Sequence, residues 1–149
     1  MSVTSSSAPR LSVGVDLTSV PDVRRAVAEF GDRYLQRVFT AQEIDACRGT
    51  DDVRASGLAG RFAAKEAVFK ALRIEDPRPP WTDVEITRTS AGWPRVDLYG
   101  SALLAAERMG AVDISLSLSH EADHAVAVVA LTCVPPVAPT DVAEGENGG

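Results

Sequence analysis

The sequence predicts an α+β fold in which a largely antiparallel sheet packs against one long central helix. Three observations carry this. The run Arg61-Phe62-Ala63-Ala64-Lys65-Glu66-Ala67-Val68-Phe69-Lys70-Ala71-Leu72 has no Pro or Gly and is rich in Ala, which makes it a helix. Nearly everything else from Leu58 to Ile74 is apolar, so that helix should be buried on more than one side. Runs with a two-residue period stand at both ends of the chain, giving the order β-α-α-α-β-β-α-β-β.

Leu11-Ser12-Val13-Gly14-Val15-Asp16-Leu17-Thr18 alternates apolar with small or polar residues, as a strand with one buried face does. Its apolar set, Leu11, Val13, Val15 and Leu17, is expected to face the core, which leaves Asp16 off it. Pro21 opens a helix through Phe30, and Gly31 closes it. Thr40-Ala41-Gln42-Glu43 is a capping box that starts a short helix to Arg48. After Gly49 the long helix runs from Asp52 to Arg73. Asp76-Pro77-Arg78-Pro79-Pro80 is a rigid loop. Val84 to Thr87 and Arg95 to Tyr99 flank Ser90-Ala91-Gly92-Trp93-Pro94 as a hairpin, and Ser101 to Met109 is a helix stopped by Gly110. Two final strands, Asp113 to Ser119 and Ala125 to Cys133, are joined by a short polar turn. The domain is expected over residues 11–134, with a flexible segment at 1–10 and a disordered Pro/Gly-rich tail at 135–149.

The 149 residues suffice for one domain with a sizeable core, and 45% hydrophobic with 24% charged content is ordinary for a soluble protein. No apolar run approaches the roughly 20 residues needed to span a membrane. The opening residues lack the basic and apolar segments of a signal peptide. Cys47 and Cys133 are far apart and have no metal spacing, which suits a reducing cytoplasm. A net charge of −6 argues against a nucleic-acid binder.

His120-Glu121-Ala122-Asp123-His124 matches the zinc-hydrolase pattern H-E-x-x-H. That chemistry requires a helix, because only i,i+4 spacing on a helical face aims both imidazoles at one metal. Both flanks here have β periodicity, so Glu121 to Asp123 should form a hairpin turn.

On the long helix, Glu66, Lys70 and Arg73 share a band, and Arg61 with Lys65 forms a second polar strip. Taken alone, Glu66 and Lys70 would be a surface i,i+4 pair contributing a few tenths of a kcal/mol. Taken with Asp16 and His120, they suggest two carboxylates that converge beside cations, a set suited to a magnesium ion shared with a diphosphate.

Gly14-Val15-Asp16-Leu17, Val38-Phe39-Thr40-Ala41-Gln42-Glu43, Arg61 to Ala71 and Ser117-Leu118-Ser119-His120 resemble the signature segments of the holo-acyl-carrier-protein synthases. These are the short, trimeric type of 4'-phosphopantetheinyl transferase. The resemblance runs from Val13 to Val129, in order and spacing. It implies the 4'-phosphopantetheinyl transferase fold and transfer of phosphopantetheine from coenzyme A, the co-substrate, to a serine of an apo acyl carrier protein. Adenosine 3',5'-bisphosphate would be released, with Mg²⁺ required. It further implies that Asp16 and Glu66 bind the metal and that Glu66 and Lys70 are catalytic. Arg61, Lys65, Lys70, Gly92, Pro94 and His120 would bind coenzyme A, with Arg61 reaching across a subunit boundary of a cytoplasmic homotrimer. Arg24 and Arg25 would meet the acidic carrier, although Asp22 and Glu29 offset them, so steering would be either weaker or shifted towards Arg33 and Arg37. Two departures stand out: the aromatic of the family's helix, often Trp, is Phe62 here, and Thr18 stands where larger transferases carry a third acid. For the serine proton, a metal-bound water and Glu66 both remain open as acceptors. A coenzyme A-binding protein of the same fold without catalysis is the competing reading.

Overall fold

The computed structural model describes residues 8–136. The expected tail from residue 137 onward and the first seven residues lie outside them. The described order is β1 (Arg10–Ser19), α1 (Val20–Phe30), α2 (Asp32–Val38), α3 (Ala41–Ala46), α4 (Asp51–Ala71), a 3-10 turn (Trp81–Asp83), β2 (Val84–Arg88), β3 (Pro94–Leu98), α5 (Gly100–Arg108), β4 (Ala111–Glu121) and β5 (His124–Cys133). β1 begins at Arg10, paired with Cys133, so the strand enters the segment expected to be flexible. α2 was not expected. Gly31 at φ +54° ends α1 but also serves as the N-cap of α2, so the chain turns a corner and resumes the helix.

Two antiparallel sheets form, one ordered β1-β5-β4 and the other the β2-β3 hairpin. α4 lies against β1 and β5, and its buried side is mostly Ala, which lets the backbones approach closely there. Ala59, Ala63, Ala64, Ala67, Val68 and Ala71 are all fully buried. On one side α4 packs with Ala127, Val129 and Leu131 of β5 and Ile114, Leu116 and Leu118 of β4. On the other, Leu58 and Ala59 pack with Val20 and Val23 of α1, Leu35 and Val38 of α2, and Phe39. Each fully buried Leu, Val or Phe in these clusters contributes about 1.5–3 kcal/mol of apolar transfer. No helix among the described residues is long and apolar enough to cross a membrane.

β1 faces the opposite way from the expected one. Leu11, Val13, Val15 and Leu17 are 53–68% exposed, whereas Ser12 and Thr18 are buried. Alternation establishes that these residues share a face but not which face turns inward. What turns the small face inward is the proximity of α4. A Cβ on Gly14 would lie 1.9 Å from the Ala67 carbonyl oxygen, and the Ser12 hydroxyl donates to the Ala71 carbonyl at 2.6 Å. A strand whose inward residues were Leu and Val could not approach the helix so closely.

The capping box forms as read: the Thr40 side chain accepts from Glu43 N–H, and the Glu43 carboxylate accepts from Thr40 N–H. Glu121 pairs with His124 across a tight turn, with Ala122 in the left-handed region at φ +48°. The H-E-x-x-H residues therefore span a hairpin tip, and the helical spacing a zinc hydrolase needs is not present.

Candidate functional site

Asp16 is brought to the inward face near the C-terminal end of β1, and Glu66 projects from the middle of α4. Both line one cleft of about 330 Å³, together with Thr18, Ser19, Asp22, Tyr34 and Phe62. Each carboxylate is 17% exposed and each has one cation. Lys70 Nζ donates to Asp16 Oδ1 at 3.2 Å and to the Val15 carbonyl at 2.9 Å. The Thr18 hydroxyl donates to Asp16 Oδ2 at 2.9 Å. Arg78, from the proline-rich loop, reaches Glu66 at 3.3 and 3.4 Å. The simple i,i+4 pair between Glu66 and Lys70 is thus not made; Lys70 crosses to the strand and Glu66 to the loop. Arg78 was missed because a loop cation leaves no periodic signal.

The oxygen donors of Asp16 and Glu66 suit a hard cation such as Mg²⁺, which takes one or two carboxylates and completes its shell with phosphate oxygens and water. Among the described residues no cluster of three or more His, Cys, Asp or Glu side chains is arranged to hold a metal. A two-carboxylate site that depends on its substrate for further ligands is the arrangement this donor set allows.

A second cleft, of about 380 Å³, is basic. Arg48 after α3, Arg61 of α4 and Arg88 of β2 line it, with Gln42, Cys47 and Thr87. Arg61 donates to the Cys47 sulfur at 3.0 Å and to the Gly57 carbonyl at 3.3 Å, while its Nε is sealed without a partner. Burial pushes the Cys47 thiol up, against the pull of Arg61, so it remains a neutral thiol. Arg88 holds the hairpin tip by donating to the Gly92 carbonyl at 2.9 Å, which ties Gly92 and the neighbouring Pro94 to the rim of this cleft. His120 Nε2 lies 3.1 Å from the Ser56 carbonyl, and Gly60 leaves it room: a Cβ there would stand 3.0 Å from the ring nitrogen. Arg61 and His120 line no part of the Asp16–Glu66 cleft.

Lys65 requires a correction. Grouped from sequence with the coenzyme A-binding residues, it is fully buried and faces inward. Its Nζ contacts Glu43 Oε2 at 2.8 Å, the Trp81 carbonyl at 3.0 Å and the Val84 carbonyl at 2.5 Å, which uses all three donors. Desolvation pushes its pKa down, and the Glu43 charge and hydrogen bond oppose that. Glu43 also accepts the Ile86 N–H at 2.8 Å, so a residue read only as a helix cap is also the hub joining α3, α4 and β2. On α1, Arg24 pairs with Asp52 at 2.7 Å and Arg25 with Asp22, leaving neither cation unneutralised.

Residues 12–129 match the family model of the 4'-phosphopantetheinyl transferase superfamily. The chain is 50% identical over 117 residues to a holo-acyl-carrier-protein synthase of Desulforudis audaxviator, covering 78% of this chain and 88% of that protein. It is 39% identical over 119 residues to the holo-acyl-carrier-protein synthase of Gloeobacter violaceus, covering 80% and 90% of the two chains. In structure it is similar to an ACPS–CoA complex of Chronobacterium ammoniagenes, with a TM-score of 0.74 and 29% identity, covering 85% of this chain and 99% of that one. Helicobacter pylori holo-acyl-carrier-protein synthase in complex with coenzyme A gives a TM-score of 0.70 at 28% identity, over 80% and 98%.

Proposed function

The chain belongs to the 4'-phosphopantetheinyl transferase superfamily, and we propose that the cleft between Asp16 and Glu66 is where its chemistry takes place. Its reaction is transfer of 4'-phosphopantetheine from coenzyme A to a serine of an apo acyl carrier protein, with release of adenosine 3',5'-bisphosphate. The observation that carries the location is the convergence of two half-buried carboxylates, from different elements, on one cleft beside Lys70.

Asp16 and Glu66 would hold Mg²⁺, and the metal when bound supplies a Lewis acid for phosphoryl oxygens. The chain's own groups supply the rest. Lys70 has two of its three donors engaged and is half-exposed, so one N–H is free for a diphosphate oxygen on which charge builds as the phosphoanhydride breaks. Arg78 holds Glu66 only at 3.3 Å and beyond, a contact that a closer partner displaces. Glu66 is therefore the carboxylate we assign to receiving the proton of the carrier serine, a weak nucleophile until it loses that proton.

The basic cleft of Arg48, Arg61 and Arg88 suits the doubly phosphorylated adenosine end of coenzyme A, with Gly92 and Pro94 tied to its rim and His120 standing against Ser56 and Gly60 of α4. Because this cleft is separate from the carboxylate cleft, one coenzyme A molecule would draw on two subunits. The exposed stripe Leu11, Val13, Val15 and Leu17, with Val128 of β5 beside it, supports a homotrimer built through that face. One chain covers the central helix by itself, so the support for a trimer comes from the outer face of β1. Arg24 and Arg25, with Arg33 and Arg37, are the cations on α1 and α2 we assign to the carrier. Two buried free thiols, Cys47 and Cys133, suit work in the cytoplasm.

The test is incubation with apo acyl carrier protein, coenzyme A and Mg²⁺, read by intact mass. A carrier that gains phosphopantetheine supports the reading. A carrier mass unchanged after full refolding controls overturns it. Omitting Mg²⁺, with a chelator present, should abolish the gain.

A further inference from the structure

We propose that the Tyr34 hydroxyl is a further catalytic group of the carboxylate cleft, donating a hydrogen bond to a non-bridging oxygen of the phosphate in transfer. This rests on the functional reading above and adds to it a residue on a helix the sequence pattern did not reveal. Tyr34 stands on α2 and lines the same cleft as Asp16 and Glu66. Its ring packs against Phe39 in a T-shaped pair, with centroids 6.0 Å apart and planes at 81°. The hydroxyl has no hydrogen-bond partner among the described residues and is not one of their sealed polar atoms, so it is open to solvent. An aromatic wall alone would need only the ring.

The polar company of the cleft shows what such a hydroxyl can do. Asp16, Asp22 and Glu66 bring acceptors; the Thr18 proton is committed to Asp16, and the Ser19 hydroxyl, whose oxygen accepts the Asp22 N–H as a helix cap, keeps its own proton but sits at the start of α1. A phosphate entering among carboxylates needs donors. Besides Lys70 and Arg78, which are engaged with those carboxylates, Tyr34 is an uncommitted neutral donor. Burial pushes its phenol up from the ordinary value, so it keeps its proton throughout the neutral range. In the reaction the serine Oγ–P bond forms as the P–O bond to the leaving bisphosphate breaks, and the serine proton goes to the base. Tyr34 gives up no proton; it stabilises the charge that develops on the transferring phosphate.

Tyr34→Phe removes the hydroxyl and keeps the ring against Phe39, so the fold is preserved. Steady-state transfer from coenzyme A to apo carrier should then show kcat lower by about 10–100-fold, with both KM values within about threefold of the original. The loss should be equal at pH 6.5 and pH 8.5, because the phenol is protonated at both. An unchanged kcat overturns the proposal. So does a loss confined to the KM of the carrier, which would make Tyr34 a docking contact, or a lowered melting temperature, which would make the hydroxyl structural. If the unsubstituted protein transfers nothing, the functional reading itself falls; if it transfers and Tyr34→Phe matches it, only this inference does.

Discussion

Replacing Glu43 by Ala isolates the most consequential buried charge in the protein. Glu43 and Lys65 are both without side-chain exposure and 2.8 Å apart. Their ion pair joins the cap of α3, the centre of α4 and the edge of β2, because Glu43 also takes the N–H groups of Thr40 and Ile86. Removing one partner of such a pair costs about 3–5 kcal/mol, mostly from the charge left behind. For a chain of this size about 2–4 °C of melting temperature goes with each kcal/mol, which gives a fall of about 6–20 °C. The proton balance adds a signature. Lys65 is already pushed below its ordinary value by desolvation, and the Glu43 charge and hydrogen bond are the largest effects opposing that. In Glu43→Ala it sinks further, so at pH values between its folded and unfolded pKa the unfolded chain binds more protons than the native one. Stability there rises with pH, and the deficit against the original protein should narrow from pH 7 to pH 9. Thermal melts at both pH values measure this. Glu43→Leu with Lys65→Met should recover part of the loss, since both charges are then gone, though the Ile86 and Thr40 N–H groups stay unpaired at about 1–3 kcal/mol each. A single Glu43→Ala melting within about 2 °C of the original would refute the reasoning.

Asp16→Ala and Glu66→Ala should each lower transfer by about 10²–10³-fold or more with little change in melting, and the double variant should be barely worse than either, because both serve one site; intact-mass kinetics decide it. Gly14→Ala should destabilise by about 1–3 kcal/mol or more in urea unfolding, as its Cβ would be 1.9 Å from the Ala67 carbonyl oxygen and 2.8 Å from the Ala71 nitrogen; a neutral result would mean β1 and α4 are not so closely packed. On the proposed trimer, Val15→Glu, at a side chain 53% exposed in the single chain, should leave the subunit's fold intact but make it sediment as a monomer; a trimer that survives the substitution would remove β1 from the interface.

Local chemistry was legible where one residue type has one physical use. Gly31 ending a helix, the Thr40–Glu43 capping box and the turn at Glu121 to Asp123 all follow from backbone needs that sequence states directly. α2 was hidden because the same Gly31 that stops one helix begins the next, and its seven residues bury only Leu35 and Val38. The fate of Lys65 was illegible for another reason. Arg61 and Lys65 look alike on a helical wheel, yet one borders an open cleft and the other meets a buried carboxylate 22 positions earlier in the chain. Which cation borders a cleft and which is buried is decided by tertiary partners that no local pattern contains.

The convergence of Asp16 and Glu66 follows from the packing that misled the reading of β1. Along a strand, alternate residues advance about 6.6–6.8 Å; along a helix, four residues advance about 6 Å. Running antiparallel, inward strand positions and helix turns therefore stay nearly in step. Ser12 meets Ala71, Gly14 meets Ala67, and the next inward position, Asp16, comes to the turn that carries Glu66, with Thr18 and Phe62 following it into the cleft. The absent side chain at Gly14 is what allows strand and helix to lie close enough for this to bring charges together. A Leu or Val at the inward positions would hold the strand several ångströms farther off, and Lys70 could not reach the Val15 carbonyl at 2.9 Å. The small inward face thus serves the site. Its consequence is that the apolar half of the alternation points outward, so the same eight residues that build the cleft also supply Leu11, Val13, Val15 and Leu17 to the surface.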